Sequence, residues 1–363
     1  MSPILCSTTD FQQPHMIQTF CNFDCVTINA DLVGSEVHRN YNNELRRYKP
    51  FSDYDVRIPK LLKHFGVRSY DQEGLMTPTI FDHHADWDWY RYNFLLNIPG
   101  YHSRVVYQFK PLSGNTSYCR WSWVPSHWDE AGLQIVAEWH HRILEDDYDR
   151  FFQIGTVSRT DLALDFPGLN CDQLVLTATH VHPRKSKVYI NRITNQRETL
   201  ELGSSDSDTS HSFYNKSAQL VATKQPNLYP DFSNVPRYEM RRCFPHKKYI
   251  RVAALPNLVF PLERLQFYDF PLDRMPTNRA LHFQIKLILR HGLQRILWHT
   301  DPKAAQHLLD QIAHYRIYPI DIGAAHCEFA NQVWLKLAPF DVQLQPYLGF
   351  ELAATLNLED GLR

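Results

Sequence analysis

The chain has 363 residues, of which 44% are hydrophobic and 21% charged, with a net charge of -1 and seven cysteines. That composition excludes a disordered or collagen-like chain, and no run of about 18 apolar residues marks a membrane span. The near-zero charge balance also gives no overall basic character, so polyanion binding would have to come from local patches.

Residues 1–20 read as a lead-in without the basic-then-apolar order of a signal peptide, and a cytoplasmic location is expected. The cysteines Cys6, Cys21, Cys25, Cys119, Cys171, Cys243 and Cys327 are scattered, with no C-x-x-C pair. They point to reduced thiols and away from a disulfide framework or a structural zinc site. Alternation predicts a strand over 23–33, and apolar spacing predicts a helix over 54–65. The aromatic stretch from Phe81 to Tyr92 receives no assignment. RVVYQF and YCRWSWV, from Arg104 and Tyr118, flank the turn-rich PLSGNTS and predict a hairpin. A helix is expected from an N-cap at Ser126 to about Asp149.

A strand follows over 155–166, then a helix over 172–179 and two strands, KSKVYINRI and ETLELGS. SFYNKSAQLVA starts as a strand and turns helical. A loop rich in proline and asparagine over 224–236 leads to the alternating strand RYEMRRC. Beyond residue 276 helical periodicity dominates, over 280–298 and again over 302–315, where Asp301 is the expected N-cap and Pro302 stands at N1. The expected fold class is α+β: a mostly antiparallel central sheet with helices packed on one face. The expected division is an α+β domain over 21–250 and a mainly helical region over 251–363.

Three strands carry charge on one face and core residues on the other. In RTDLALDF, Arg159, Asp161 and Asp165 share a face, while Leu162, Leu164 and Phe166 take the opposite one. Aspartate is disfavoured in strands, so the pair needs a reason. Two readings stand: a divalent cation held by the carboxylates, or pairing with arginines on a solvated face. In SFYNK, Tyr214 and Lys216 share a face, and an ammonium beside a phenol suits attack on a phosphate. In RYEMRRC, Arg237, Glu239 and Arg241 share a face. With Arg242, Lys247, Lys248 and Arg251 the two arginines make the densest basic segment of the chain, suited to a phosphate backbone or to an edge strand guarded by charge. His180-Val181-His182 has the spacing of a histidine metal pair but runs into Pro183. The adjacent pairs His83-His84 and His140-His141 read as structural or surface residues.

RTDLALDF, TLELGSSDSD, FYNK and RYEMR, in that order over about 155–242, resemble the replication initiation factor family of rolling-circle plasmids and filamentous phages. The resemblance implies an enzyme that nicks and rejoins one DNA strand at an origin through a 5′-phosphotyrosine link. Transferred residue by residue, it makes Tyr214 the nucleophile assisted by Lys216. Asp161, Asp165 and Glu239 would hold Mg²⁺ or Mn²⁺, and Arg159, Arg237, Arg241, Arg242, Lys247 and Lys248 would contact DNA. It further implies host replication proteins as partners, and a homodimer. The chain departs from the pattern at Glu201, where the family often has tyrosine, and at Ser205 and Ser212, where it often has basic residues. Alternatives are a non-catalytic DNA-binding regulator on the same fold and a histidine-metal nuclease.

Overall fold

The computed structural model describes residues 4–6, 17–32, 56–60, 79–82, 90–111, 117–179, 181–182, 185–191, 197–204, 207–223, 228–245, 248–349 and 352. The strands in chain order are β1 (Ile4–Cys6), β2 (Ile17–Ala30), β3 (Thr79–Asp82), β4 (Tyr90–Asn97), β5 (Arg104–Pro111), β6 (Cys119–Trp123), β7 (Thr156–Asp165), β8 (Leu174–Ala178), β9 (Ser186–Ile190), β10 (Arg197–Leu202), β11 (Thr209–Asn215), β12 (Pro236–Cys243), β13 (Ile250–Arg251), β14 (Leu265–Asp269) and β15 (Arg316–Ile317). The helices are α1 (Glu130–Leu144), α2 (Tyr148–Ile154), α3 (Lys216–Ala222), α4 (Arg279–His291), α5 (Leu293–Trp298), α6 (Pro302–Ile312) and α7 (Ile322–Leu337). No helix among the described residues is long and apolar enough to cross a membrane.

Alternation builds one large antiparallel sheet in the order β3-β4-β5-β6-β2-β7-β12-β11-β10-β9, with β1 on β2 and β13 on β7. The fold is α+β, as expected. One face of the sheet is apolar and covered. Trp121 and Trp123 of β6 are buried there, and α1 stacks the fully buried His140 on Trp121 at 4.3 Å. From the far end of the chain, α7 sets Phe329 edge-on against Phe23 of β2 at 5.6 Å. The Thr19 hydroxyl donates to the Pro319 carbonyl at 2.7 Å. The core of the sheet is therefore shared between residues on both sides of position 250. A second sheet, β15-β14-β8, lies behind it, where Phe267 packs against Phe166 and Tyr238. The helices α4 to α6 close a smaller core around Val175, Phe270, Ile285 and Ile288.

The hairpin forms as expected, with Val106 opposite Ser122, and SFYNK turns from β11 into α3 with Asn215 as N-cap. Asp301 caps α6 by accepting from the amides of Lys303 and Ala304. Four expectations change. The first long strand starts at Ile17, inside the expected lead-in, because it pairs with both β7 and β6. The N-cap of α1 is Asp129, which accepts from Gly132 N at 2.8 Å, while the Ser126 hydroxyl turns to Asp24 at 2.7 Å. Residues 172–179 hold strand β8 where a helix was expected. LVLTA is buried along its whole length, and a short apolar run lacks the periodicity that would distinguish the two. The helix expected over 280–298 breaks into α4 and α5 at Gly292. Of the helix expected over 54–65, residues 56–60 are helical and the rest lie outside the described residues. The stretch 81–92 holds the end of β3 and the start of β4, with 83–89 outside the described residues.

Gly292 has φ 81° and ψ 141°, backbone that side-chain-bearing residues rarely adopt. Gly292→Ala is expected to destabilise the protein by about 1–3 kcal/mol in urea unfolding. A Cβ there would meet Leu200 at an ordinary 3.5 Å, so the cost lies in the backbone and not in a clash.

Candidate functional site

Strand register places the charged residues of the three sequence segments on the face opposite the core. One row across the sheet runs Asp165, Arg237, Tyr214, on β7, β12 and β11. The next row is Ala163, Glu239, Ser212, and the third is Asp161, Arg241, Ser210. Diagonal neighbours on such a face lie within reach of long side chains. Tyr214 accordingly leans across to β12, and its hydroxyl donates a short hydrogen bond to Glu239 Oε1.

Arg237 occupies the centre. Its Nε donates to Asp165 Oδ1 at 2.5 Å and its Nη2 to Asp165 Oδ2 at 2.6 Å, a bidentate clamp in which both residues are buried. Its Nη1 lies 3.4 Å from Asp24 Oδ1 and 3.6 Å from Glu239 Oε1. Asp165 also accepts from the Tyr229 hydroxyl at 2.5 Å and from Asn22 Nδ2 at 3.2 Å. Lys216, at the first position of α3, is buried, and its Nζ donates to Gln219 at 2.7 Å.

The electrostatics follow from burial beside unlike and like charges. Burial raises the Tyr214 phenol well above its ordinary value, and Glu239 adds to the shift. Glu239 is itself raised above the carboxylate range by burial and by the Asp24 charge, against the pull of Arg237. Burial opposes ionisation of Asp24, yet Arg237 and the Ser126 hydroxyl hold it below its usual value. Lys216 is lowered by burial and by Arg237. The result is a phenol bonded to an unusually basic carboxylate, with a guanidinium and an ammonium close by.

Asp161 stands apart from this group. Arg159 clamps it through Nε at 2.9 Å and through Nη2, and Arg241 Nε lies 3.7 Å away. Asp161 and Asp165 stand four positions apart, about 13 Å along the strand, whereas Mg²⁺ holds its ligands at about 2.1 Å. Each carboxylate is also already occupied by an arginine. Asp161, Asp165 and Glu239 thus do not fit a shared Mg²⁺ or Mn²⁺ ion, and no group of three or more acidic, histidine or cysteine side chains among the described residues is placed to hold one. Of the two readings of RTDLALDF, arginine pairing is the one that the geometry fits.

The expected DNA contacts also separate. Arg237 is too buried to reach a ligand's outer phosphates, and Arg242 faces the other way, donating to the Val259 carbonyl. Arg159 and Arg241 are partly exposed and Lys248 is exposed, while Lys247 lies outside the described residues. Of the histidine triplet, His182 packs its ring against Trp298 at 4.9 Å, and His180 is outside the described residues. His140 is a core residue. Glu201 accepts from the exposed Tyr189 at 3.2 Å.

The sequence patterns do not single out Asp24, Tyr229 or Asn22. Asp24 falls where the β2–β7 register shifts between Phe23 and Cys25, and a bulge re-aims the side chain toward Arg237. Its signal is the same as that of Asp161, an acid within an apolar strand. Tyr229 comes from the 224–236 loop, which carries no periodic signal.

No family model matches the chain, and no curated protein matches it. Among solved structures the chain is similar to a rolling circle replication initiator protein from Geobacillus stearothermophilus, at 10% identity and a TM-score of 0.31, over 74% of this chain and 96% of that one.

Proposed function

We propose that this protein is a DNA strand-transferase of the replication-initiation kind, with Tyr214 as its nucleophile. The observation that carries the reading is the hydrogen bond from the Tyr214 hydroxyl to Glu239, set beside Arg237 and Lys216 on the side of the sheet opposite its aromatic core. The ordered motifs RTDLALDF, TLELGSSDSD, FYNK and RYEMR support it independently. The phenol oxygen attacks the phosphorus of a phosphodiester, and its proton passes to Glu239. The bond to the 3′ oxygen breaks, and that oxygen takes its proton from solvent, while the buried Lys216 ammonium, like Arg237, acts through its charge. Rejoining runs the same steps backwards. Arg237 does not touch the DNA; it fixes Glu239 and Tyr214 in register from its anchor on Asp165.

The test is a covalent adduct. Incubation with end-labelled single-stranded DNA of randomised sequence should give a protein–DNA species that survives denaturation and is removed by nuclease. Absence of any such species, with DNA binding intact, would count against catalysis and favour a binding regulator.

Glu239 must be ionised to accept the proton, and its affinity for protons is raised. The rate of adduct formation should therefore climb with pH along a limb above the ordinary carboxylate range, and fall again below the free-lysine range as Lys216 loses its charge. Glu239→Gln should remove the acidic limb and slow the reaction about 10²–10⁴-fold. Stability should move the other way. A carboxyl whose folded pKa is raised loses its stabilising contribution as pH rises through that value, so the variant should melt no lower than the parent at neutral pH. A marked loss of melting temperature would instead identify Glu239 as a structural ion-pair partner.

A further inference from the structure

We infer that α4 carries a second, separate interaction surface, one that binds the phosphate backbone of duplex DNA. The helix has no acidic residue, and Arg279, Phe283, Lys286 and Arg290 recur on it at intervals of four, three and four. They lie on one helical stripe opposite the buried Leu281, Ile285 and Ile288. All three basic residues are exposed, Phe283 is 62% exposed, and the stripe extends about 16 Å along the axis. No ion pair among the described residues engages Arg279, Lys286 or Arg290.

The surroundings favour the same partner. From Leu272 to Tyr318 the chain has seven Lys and Arg against three Asp and Glu, although its overall charge is -1. Of those acids Asp301 is committed to capping α6 and Asp310 accepts from Gln306. The module is held to the main sheet by the buried Arg197 of β10, which donates to the carbonyls of Cys171, Leu174 and Leu289. The stripe is thus presented on a rigid helix and not on a loop. An anionic membrane surface is the poorer match, because binding there needs an apolar helix face to insert. The apolar face of α4 is already spent on its own core, leaving Phe283 alone. Three regularly spaced exposed cations suit a regular polyanion.

The choice of DNA as the polyanion rests on the function proposed above; the surface itself does not depend on Tyr214. The full chain and an Arg279→Ala/Lys286→Ala/Arg290→Ala variant would be titrated with a labelled duplex of arbitrary sequence between about 50 and 200 mM salt. Alanine on an exposed helical face preserves the helix, and unchanged circular dichroism and melting would verify it. The slope of log affinity against log salt should become shallower by about 0.9 for each lost phosphate contact, about 2.7 in all, equally on every sequence. An unchanged slope and affinity would overturn the inference. So would lost binding to phosphatidylserine vesicles with duplex binding intact. Adduct formation on a short single-stranded oligonucleotide, measured in parallel, separates the two proposals: its absence alongside a shallower slope counts against Tyr214 and leaves the α4 surface standing.

Discussion

Tyr214→Phe is expected to abolish the covalent protein–DNA adduct, lowering its rate of formation by about 10⁴-fold or more, because it removes the phenol oxygen that is bonded to Glu239, the carboxylate that burial and Asp24 make more basic. The substitution removes one oxygen. It forfeits the hydrogen bond to Glu239, a loss of about 1 kcal/mol in stability, and leaves the row of Asp165 and Arg237 untouched. Tyr189→Phe is the matched control. Tyr189 also donates to a glutamate, Glu201, but it is 46% exposed and lies one strand beyond β10, away from Arg237. Its removal should leave the adduct in place. An adduct that persists in Tyr214→Phe and disappears in Tyr189→Phe would move the nucleophile to the edge of the sheet.

Arg237→Ala should cost about 3–5 kcal/mol in unfolding free energy, the largest stability effect of any change at this site. The reason is Asp165, which is fully buried and would lose the guanidinium that pairs with both of its oxygens. Tyr229 and Asn22 would still donate to it, but neither carries a charge. Arg237→Lys should recover only part of the loss, since an ammonium cannot make the two parallel bonds of the clamp. Replacing both partners, Asp165→Leu with Arg237→Met, should return stability close to that of the parent, because the buried ion pair is worth little against apolar residues of similar volume. Activity should not return, because Glu239 would have lost the group that orients it. A loss below about 1 kcal/mol in Arg237→Ala would show that Asp165 is not held as an ion pair.

Much of this site is legible in the order of the residues. Period-two alternation in RTDLALDF, SFYNK and RYEMRRC sorts Asp161, Asp165, Tyr214, Arg237 and Glu239 onto polar faces, and those strands are neighbours in the sheet with these faces on one side. Alternation is a local property of extended backbone, so it can be read from adjacent residues. The same locality explains the failures. LVLTA is buried on both sides and offers no alternation, and the capping role passes from Ser126 to Asp129 because Asp24, far away in the chain, claims the serine hydroxyl.

The sequence by itself therefore determined which side chains share a face of each strand: the strands, and the polar faces that carry Asp161, Asp165, Tyr214, Arg237 and Glu239. Only the tertiary structure decided how those charges are matched. Asp165 belongs to Arg237 and Asp161 to Arg159, so neither is left for a shared cation, and Glu239 is the acid that meets Tyr214. Arg237 reaches Asp24 across 213 residues of chain, through a bulge that shifts register by one position. Whether a carboxylate meets a metal, an arginine or a phenol turns on a few ångströms, and that distance is set by register between strands remote in sequence.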